Sequence, residues 1–273
     1  MKHKSFLFKD VIVNYQVEGE GEKTIVLLHG FLMSLDVWAT YVFKFSKKIR
    51  VITIDLLGHG ETNSLSNEHS MELQAELVKE LLDHLDVETC VIAGHSMGGY
   101  VALAFAALYP SYVKGLSLIN SHALADSEEA RENRLRTCEL VEQNRAKYIL
   151  NFISKLFAKE SQEPLRYEIR DTQDRAILTK KEGVVAAQKG MMSRVSRLDV
   201  LINADYPILF FIGKQDSRIS VENILAQATL PKHSEIVLLE YVGHMAHVEA
   251  DMLVKERLLE FTNTCYENQI RIF

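Results

Sequence analysis

One hexapeptide constrains this chain more than any other feature. Gly94-His95-Ser96-Met97-Gly98-Gly99 follows the apolar run Val91-Ile92-Ala93 and opens a stretch, residues 96–109, that is apolar almost all round. The pattern is strand, tight turn, deeply packed helix, with G-x-S-x-G at the turn. A serine held there sits on a strained backbone, and side chains at Gly94 and Gly98 would collide with the neighbouring strand and helix. The other reading, a serine that merely caps the following helix, asks only for an N-terminal hydroxyl. The strand before it and the apolar helix after it favour the nucleophile elbow.

The rest of the chain supplies the sheet such an elbow needs. Val11, Val13, Tyr15 and Val17 alternate with Ile12, Asn14 and Gln16, the period-2 pattern of a strand. Gly19 and Gly21 predict a hairpin turn from it into Thr24-Ile25-Val26-Leu27-Leu28, which is apolar on both faces and so suits the interior of a parallel sheet. Similar runs follow at 51–54, 91–93, 116–119, 208–212 and 236–239. Between them lie helical patterns: Leu73, Leu77, Val78, Leu81, Leu82 and Leu85 form a stripe of period 3.6, with Ser70 placed to cap it. Strands alternating with helices predict an α/β fold with crossovers on both faces. Residues 123–203 break the alternation, being charged and helix-patterned with no strand-like run. A structureless loop of that length is improbable in a compact domain. The division expected is therefore a core domain in two parts, 1–122 and 204–273, with a helical cap, 123–203, inserted between them. In the cap, Arg131, Glu132, Arg134, Arg136, Glu139 and Glu142 read as a solvated helix face, with Leu135, Leu140 and Val141 inward. Arg131 or Arg134 is the alternative holder of a substrate carboxylate.

Composition narrows the function classes. Against 37 Asp+Glu stand 31 Lys+Arg, so no electrostatic footprint for nucleic acid or an anionic membrane is expected. The longest apolar run, 100–109, falls well short of the roughly 18 residues of a membrane span. Residues 1–10 contain only Phe6-Leu7-Phe8 as an apolar core, too little for a secretory signal, and a cytoplasmic protein is the default. Cys90, Cys138 and Cys265 are an odd number without CxxC spacing and read as free thiols. The scattered histidines show neither H-E-x-x-H nor paired metal spacing, and Gly58-His59-Gly60 lacks a G-x-G-x-x-G continuation. Neither metal nor cofactor is expected.

A serine hydroxyl needs a base and an orienting acid. With this elbow the chain order is Ser, acid, His, each partner beyond the end of a later strand. Asp216 follows the run 208–212, and His244 follows the run 236–239 through Gly243. Asp205 precedes its strand, while Glu249 and Asp251 fall in the final helix; Asp216 as a helix N-cap is the competing reading. His247 rivals His244 for the base and otherwise reads as a helix-surface or second-layer residue. Backbone N–H groups of Met97 and of Phe31, in the turn His29-Gly30-Phe31-Leu32, are the expected oxyanion donors, with Leu32 as fallback. Phe31, Leu32, Met97 and His122 are expected to line a mostly apolar acyl pocket, Leu32 and His122 as substrate contacts. His29 and His95 read as supporting polar residues.

The chain resembles α/β-hydrolase fold proteins of the small esterase and lactonase type. The resemblance runs from His29-Gly30-Phe31 through Asp55-Leu56-Leu57-Gly58-His59-Gly60 and the elbow to Gly243-His244, while the cap matches in placement and helical character. Thr62 stands where such proteins commonly have Ser. Ser96 separates the chain from haloalkane dehalogenases and soluble epoxide hydrolases, which carry Asp there. Tyr100 replaces the Arg usual in members acting on menaquinone-pathway intermediates. From the elbow into the cap the chain is similar to 3-oxoadipate enol-lactonase-like proteins. The resemblance implies a mostly parallel eight-stranded sheet flanked by helices, with an inserted helical cap. It implies a cofactor-free hydrolase, monomeric or homodimeric, that cleaves a small carboxylic ester, thioester or lactone through an acyl-enzyme on Ser96. The same three residues also suit a C–C bond hydrolase or lyase, or a ligand receptor with slow hydrolysis.

Overall fold

Apolar runs without a polar face must be covered on both sides, and here they are. In the computed structural model, residues 3–267 are described; residues 1–2 and 268–273, the outer ends of the ranges 1–122 and 204–273, lie outside them. Eight strands, β1 (Lys4–Phe8), β2 (Val11–Glu18), β3 (Thr24–Leu28), β4 (Arg50–Ile54), β5 (Cys90–His95), β6 (Val113–Ile119), β7 (Ile208–Gly213) and β8 (Ser234–Leu239), form one sheet in the order β1-β2-β4-β3-β5-β6-β7-β8. From β4 to β8 every neighbouring pair is parallel; β1 and β2 add an antiparallel edge.

Among the described residues the α-helices are α1 (Ala39–Phe45), α2 (Met71–His84), α3 (Met97–Leu108), α4 (Glu128–Ser154), α5 (Arg166–Ala176), α6 (Lys181–Ser193), α7 (Leu198–Asn203), α8 (Val221–Ala228), α9 (Ala246–Glu249) and α10 (Asp251–Tyr266). Strand alternation divides the core. Val26 and Leu28 of β3 join the α2 and α3 side with Leu77, Leu81 and Phe105, while Ile25 and Leu27 join Trp38, Tyr41, Phe45 and Phe261 on the other. Each such fully buried large side chain contributes about 1.5–3 kcal/mol. Ser70 Oγ accepts the Leu73 N–H at 3.1 Å and caps α2.

The hairpin expected at Gly19 and Gly21 does not form. β2 pairs with β1 and β4, and β3 lies between β4 and β5. All five β3 residues are buried, so β3 takes an interior position and the chain must cross over to reach it. Gly19 serves that crossing: its φ is +80°, and a Cβ there would stand 2.2 Å from Ile49 O. The hairpin that does form is β1–β2. β1 was hidden in the sequence because only Phe8 of its five residues is buried.

Between β6 and β7 the chain makes α4, α5, α6 and α7 and no strand. Ser127 Oγ caps α4 through the Ala130 N–H, and α4 kinks at Asn144 (φ −158°, ψ 83°). Ahead of the kink Val141 is buried, but Leu135 and Leu140 in the same segment are 51% and 49% exposed rather than inward. α6 seats this insertion on the core. Gly183 and Gly190, two turns apart on one face, lie against Gly58 O and His69 O, where added Cβ atoms would stand 2.1 and 1.7 Å away. Alanine ordinarily favours a helix interior over glycine by ~1 kcal/mol. Gly190→Ala is nevertheless expected to lower the unfolding free energy by ~1–3 kcal/mol, the usual cost of forced overpacking. Urea denaturation measures it, and a stabilised variant would show that α6 does not rest on the core backbone.

Candidate active site

β5 ends and α3 begins within a single residue. Ser96 takes φ 49° and ψ −114°, a strained conformation for a residue with a Cβ. The turn is possible because backbones nearly touch: a Cβ on Gly94 would meet Gly98 O at 2.2 Å, and one on Gly98 would meet Leu28 O at 2.4 Å. Ser96 N–H donates to Ile119 O and Ser121 Oγ donates to Ser96 O, which ties the turn to the end of β6.

The loops after β7 and β8 bring two further groups to this turn. His244 Nε2 lies 2.8 Å from Ser96 Oγ, and His244 Nδ1 lies 2.8 Å from Asp216 Oδ2 and 3.0 Å from Oδ1. Asp216 also accepts the Arg218 and Ile219 N–H groups and the Asn120 amide. Burial pushes the Asp216 carboxyl up, but His244 beside it and these hydrogen bonds outweigh that and hold it below the ordinary carboxylate value. With Nδ1 donating to a carboxylate, neutral His244 presents a bare Nε2 lone pair to the serine hydroxyl. The N–H groups of Phe31 and Met97, both near Ser96, donate to no group among the described residues.

Two residues of this arrangement escaped the sequence reading. Asn120 donates to both Asp216 Oδ2 and Gly243 O and accepts the Ala246 N–H, so it spans the acid loop and the histidine loop. Glu249 accepts the Gly243, Met245 and Ala158 N–H groups. The sequence offers Glu249 only as a candidate acid, and the signal available for Asn120 is its place at the end of the strand beside the elbow strand. His247 is not a helix-surface residue. α9 tucks it beneath the site, 1% exposed, with its ring 4.9 Å from Trp38 and 4.2 Å from His95. His95 donates from Nε2 to His244 O at 2.8 Å.

Ser96 and His244 open into a cavity of about 410 Å³, within the usual range for small-molecule sites. Phe31 and His122 line it, as expected; Leu32 and Met97 do not. Leu32, with φ 64° and 1% exposure, is turned into the core, and the Met97 side chain is fully buried. His122 accepts the Leu124 N–H at Nδ1 and meets Tyr100 Oη at 3.3 Å; burial lowers its pKa to about 4. The lining carries more apolar than polar surface, as expected, but it is also charged. Arg134, Arg194, Arg218 and Asp126 share it with Tyr100, Tyr148 and Phe152. Arg134 therefore leaves the solvated face assigned to it: Asp126 and Gln188 draw it inward, while Arg131 stays exposed.

Comparison with known proteins identifies the family of the fold. Residues 23–251 match the alpha/beta hydrolase fold family. The chain is 30% identical over 267 residues to a putative 2-succinyl-6-hydroxy-2,4-cyclohexadiene-1-carboxylate synthase of Bacillus subtilis, covering 91% of this chain and 94% of that one. It is also 30% identical to a dihydrolipoyllysine-residue acetyltransferase component of an acetoin cleaving system of Pseudomonas putida. That match covers 90% of this chain but only 65% of that longer protein. Among solved structures, a malate-bound thermophilic esterase from Thermogutta terrifontis superposes with a TM-score of 0.90 at 28% identity, covering 97% of this chain and 99% of that one. An enol-lactonase from Burkholderia xenovorans shares the fold, with a TM-score of 0.88 at 20% identity over 95% and 100% of the two chains. No helix among the described residues is long and apolar enough to cross a membrane.

The site rests on a layer of buried histidines whose charging is suppressed. Burial lowers His59 and His247 from 6.5 to about 3 and His69 to about 4, and it lowers His29 and His95 as well. These rings stay neutral in the folded chain, whereas in the unfolded chain they take up protons below pH ~6.5. Stability from them is thus present above that value and is lost as pH falls toward 4, by up to ~1.4 kcal/mol per pH unit for each group. Unfolding free energies by urea titration are expected to decline from pH 6.5 downward. A flat profile to pH 5, with loss only where carboxylates titrate, contradicts the neutral layer.

Proposed function

The chain belongs to the alpha/beta hydrolase fold family, and from that membership we propose a serine hydrolase that cleaves a small carboxylic ester, thioester or lactone. The observation that carries the reading is the hydrogen-bonded line from Ser96 Oγ through His244 to Asp216, 2.8 Å at each step. Likeness to an esterase at 28% identity over nearly the whole of both chains supports ester chemistry.

In this reading Ser96 Oγ attacks the carbonyl carbon while His244 Nε2 takes its proton. Asp216 fixes the Nδ1–H tautomer and stabilises the imidazolium. The Phe31 and Met97 N–H groups, otherwise unengaged, receive the developing oxyanion. Collapse of the tetrahedral intermediate breaks the bond to the leaving group, which takes the proton from His244. Water, deprotonated by the same nitrogen, then attacks the acyl-enzyme and regenerates Ser96. The helices of residues 123–203 act as a cap, since Arg134, Tyr148 and Phe152 of α4 close the cavity over Ser96.

A second reading, C–C cleavage or a lyase reaction by the same residues, is favoured by the 30% identity to a putative synthase of that kind. A product screen with keto-acid substrates separates the two. Tyr100, where an Arg is usual in such members, weighs toward the ester reading.

Ser96→Ala is expected to reduce turnover of p-nitrophenyl acetate by at least ~10³-fold with an unchanged far-UV circular dichroism spectrum. Asp216→Asn should cost about 10⁴-fold in kcat by losing the correct tautomer. Turnover retained in Ser96→Ala overturns the proposal. His244→Ala should abolish the activity, whereas His247→Ala should act on stability. Because the reaction needs neutral His244, kcat/KM should fall on acidification as a single titration, and an acid-insensitive profile counts against His244 as base.

A further inference from the structure

The cavity beside Ser96 holds more positive charge than its own carboxylate balances. Asp126, whose side chain is 3% exposed, pairs with both Arg134 and Arg194. Arg194 is fixed further by the carbonyls of Leu124 and Met191 and lies 4.0 Å over the Tyr100 ring. Arg218 differs from both. Its guanidinium has no hydrogen bond or ion pair among the described residues and lies 4.5 Å over the Phe152 ring. Arginine stays protonated at working pH, and His122 in the same lining is neutral. Three arginines against Asp126 leave an excess of two positive charges in the lining, and the nearby Asp216 carboxylate, already shared by His244, Asn120 and two backbone N–H groups, offsets only one.

Part of this excess is unneutralised where it stands. Arg218 is exposed as a residue, yet partial burial of its guanidinium lowers its pKa, Arg134 adds to that by repulsion, and Tyr148 and Asp216 only partly oppose them. An anion entering the cavity relieves both effects. The surroundings suit one: Asn223, Thr137 and Ser220 add polar groups, and the N-terminal ends of α4 and α8, at Ser127 and Ser220, border the same space.

We propose, building on the reading of Ser96 as nucleophile, that Arg218 with Arg134 forms an anion subsite, and that the substrate is an ester or lactone carrying its own carboxylate. The guanidinium fork of Arg218 takes the carboxylate while the scissile carbonyl lies at Ser96. This places the substrate among half-esters and lactones of dicarboxylic acids rather than simple alkyl esters.

The test compares mono-p-nitrophenyl succinate with p-nitrophenyl butyrate, which share a leaving group and similar acyl length but differ in charge. The expected kcat/KM ratio favours the anionic ester by at least tenfold, and Arg218→Ala lowers that ratio at least tenfold, chiefly through KM. Free succinate should inhibit competitively and weaken in the same variant. Arg131→Ala, on the exposed face of α4, should leave the ratio as it is and serves as the charge control. A ratio near one, or an Arg218→Ala variant that slows both esters alike, overturns the subsite. These outcomes are distinct from failure of the hydrolase reading, which shows as Ser96→Ala retaining turnover of both esters.

Discussion

Close approach of backbone to backbone at the β5–α3 turn is the constraint on which the rest of the structure depends. The turn has no room for side chains at Gly94 or Gly98, since Gly98 and the Leu28 carbonyl already occupy that space. That contact fixes where β3 ends relative to α3, and so holds the turn after β3 against the turn that carries Ser96. It also forces Ser96 into a positive-φ conformation that costs about 1–3 kcal/mol. The strain is held by buried strands on both sides of β5 together with the hydrogen bonds that tie Ser96 to Ile119 and Ser121. A marginal fold could not keep it, and this accounts for a sheet centre with almost no polar residues.

Asp216 and His244 stand on loops, and loops need holding. Asn120 and Glu249 do this with one side chain each, joining segments far apart in sequence: Asn120 links the loops after β7 and β8, and Glu249 clamps the turn carrying His244 onto the segment after α4. Because His244 N–H donates to Leu156 O as well, the insertion and the base loop are one mechanical unit. Any movement of the α4 end that opened the cavity would therefore also disturb His244. Access is better sought on the side of Arg218, which remains solvent-exposed.

What the sequence could disclose follows from which signals are local. The elbow, the buried strands and the α2 stripe are each written in a dozen residues or fewer, and the runs they predict recur as strands β2 to β8, while the mostly exposed β1 left no such signal. Strand order is not local. The Gly19 and Gly21 turn resembles a hairpin in sequence, and only the burial of β3 on both edges sends the chain past β4 instead. The α4 face failed for a related reason: Arg134 is drawn inward by Asp126 and by Gln188, more than fifty residues further on, and a local periodicity does not carry that contact. Glycines 183 and 190 looked like neutral helix residues because the carbonyls they rest on belong to segments over a hundred residues earlier.

Polarity is partitioned sharply across the proposed nucleophile. Below Ser96, histidines are buried and kept neutral, so no mobile charge competes with Asp216 for the His244 ring. Above it, the cavity lining is cationic and partly wet. The two halves act on different quantities: the neutral layer preserves the direction of the single ionic hydrogen bond at His244, whereas the arginines bias which ligands enter. In the proposed reaction the cation-lined cavity also favours a developing oxyanion, and Asp216, whose carboxyl is held below the ordinary carboxylate value by His244 and its hydrogen bonds, faces the His244 ring as an ion.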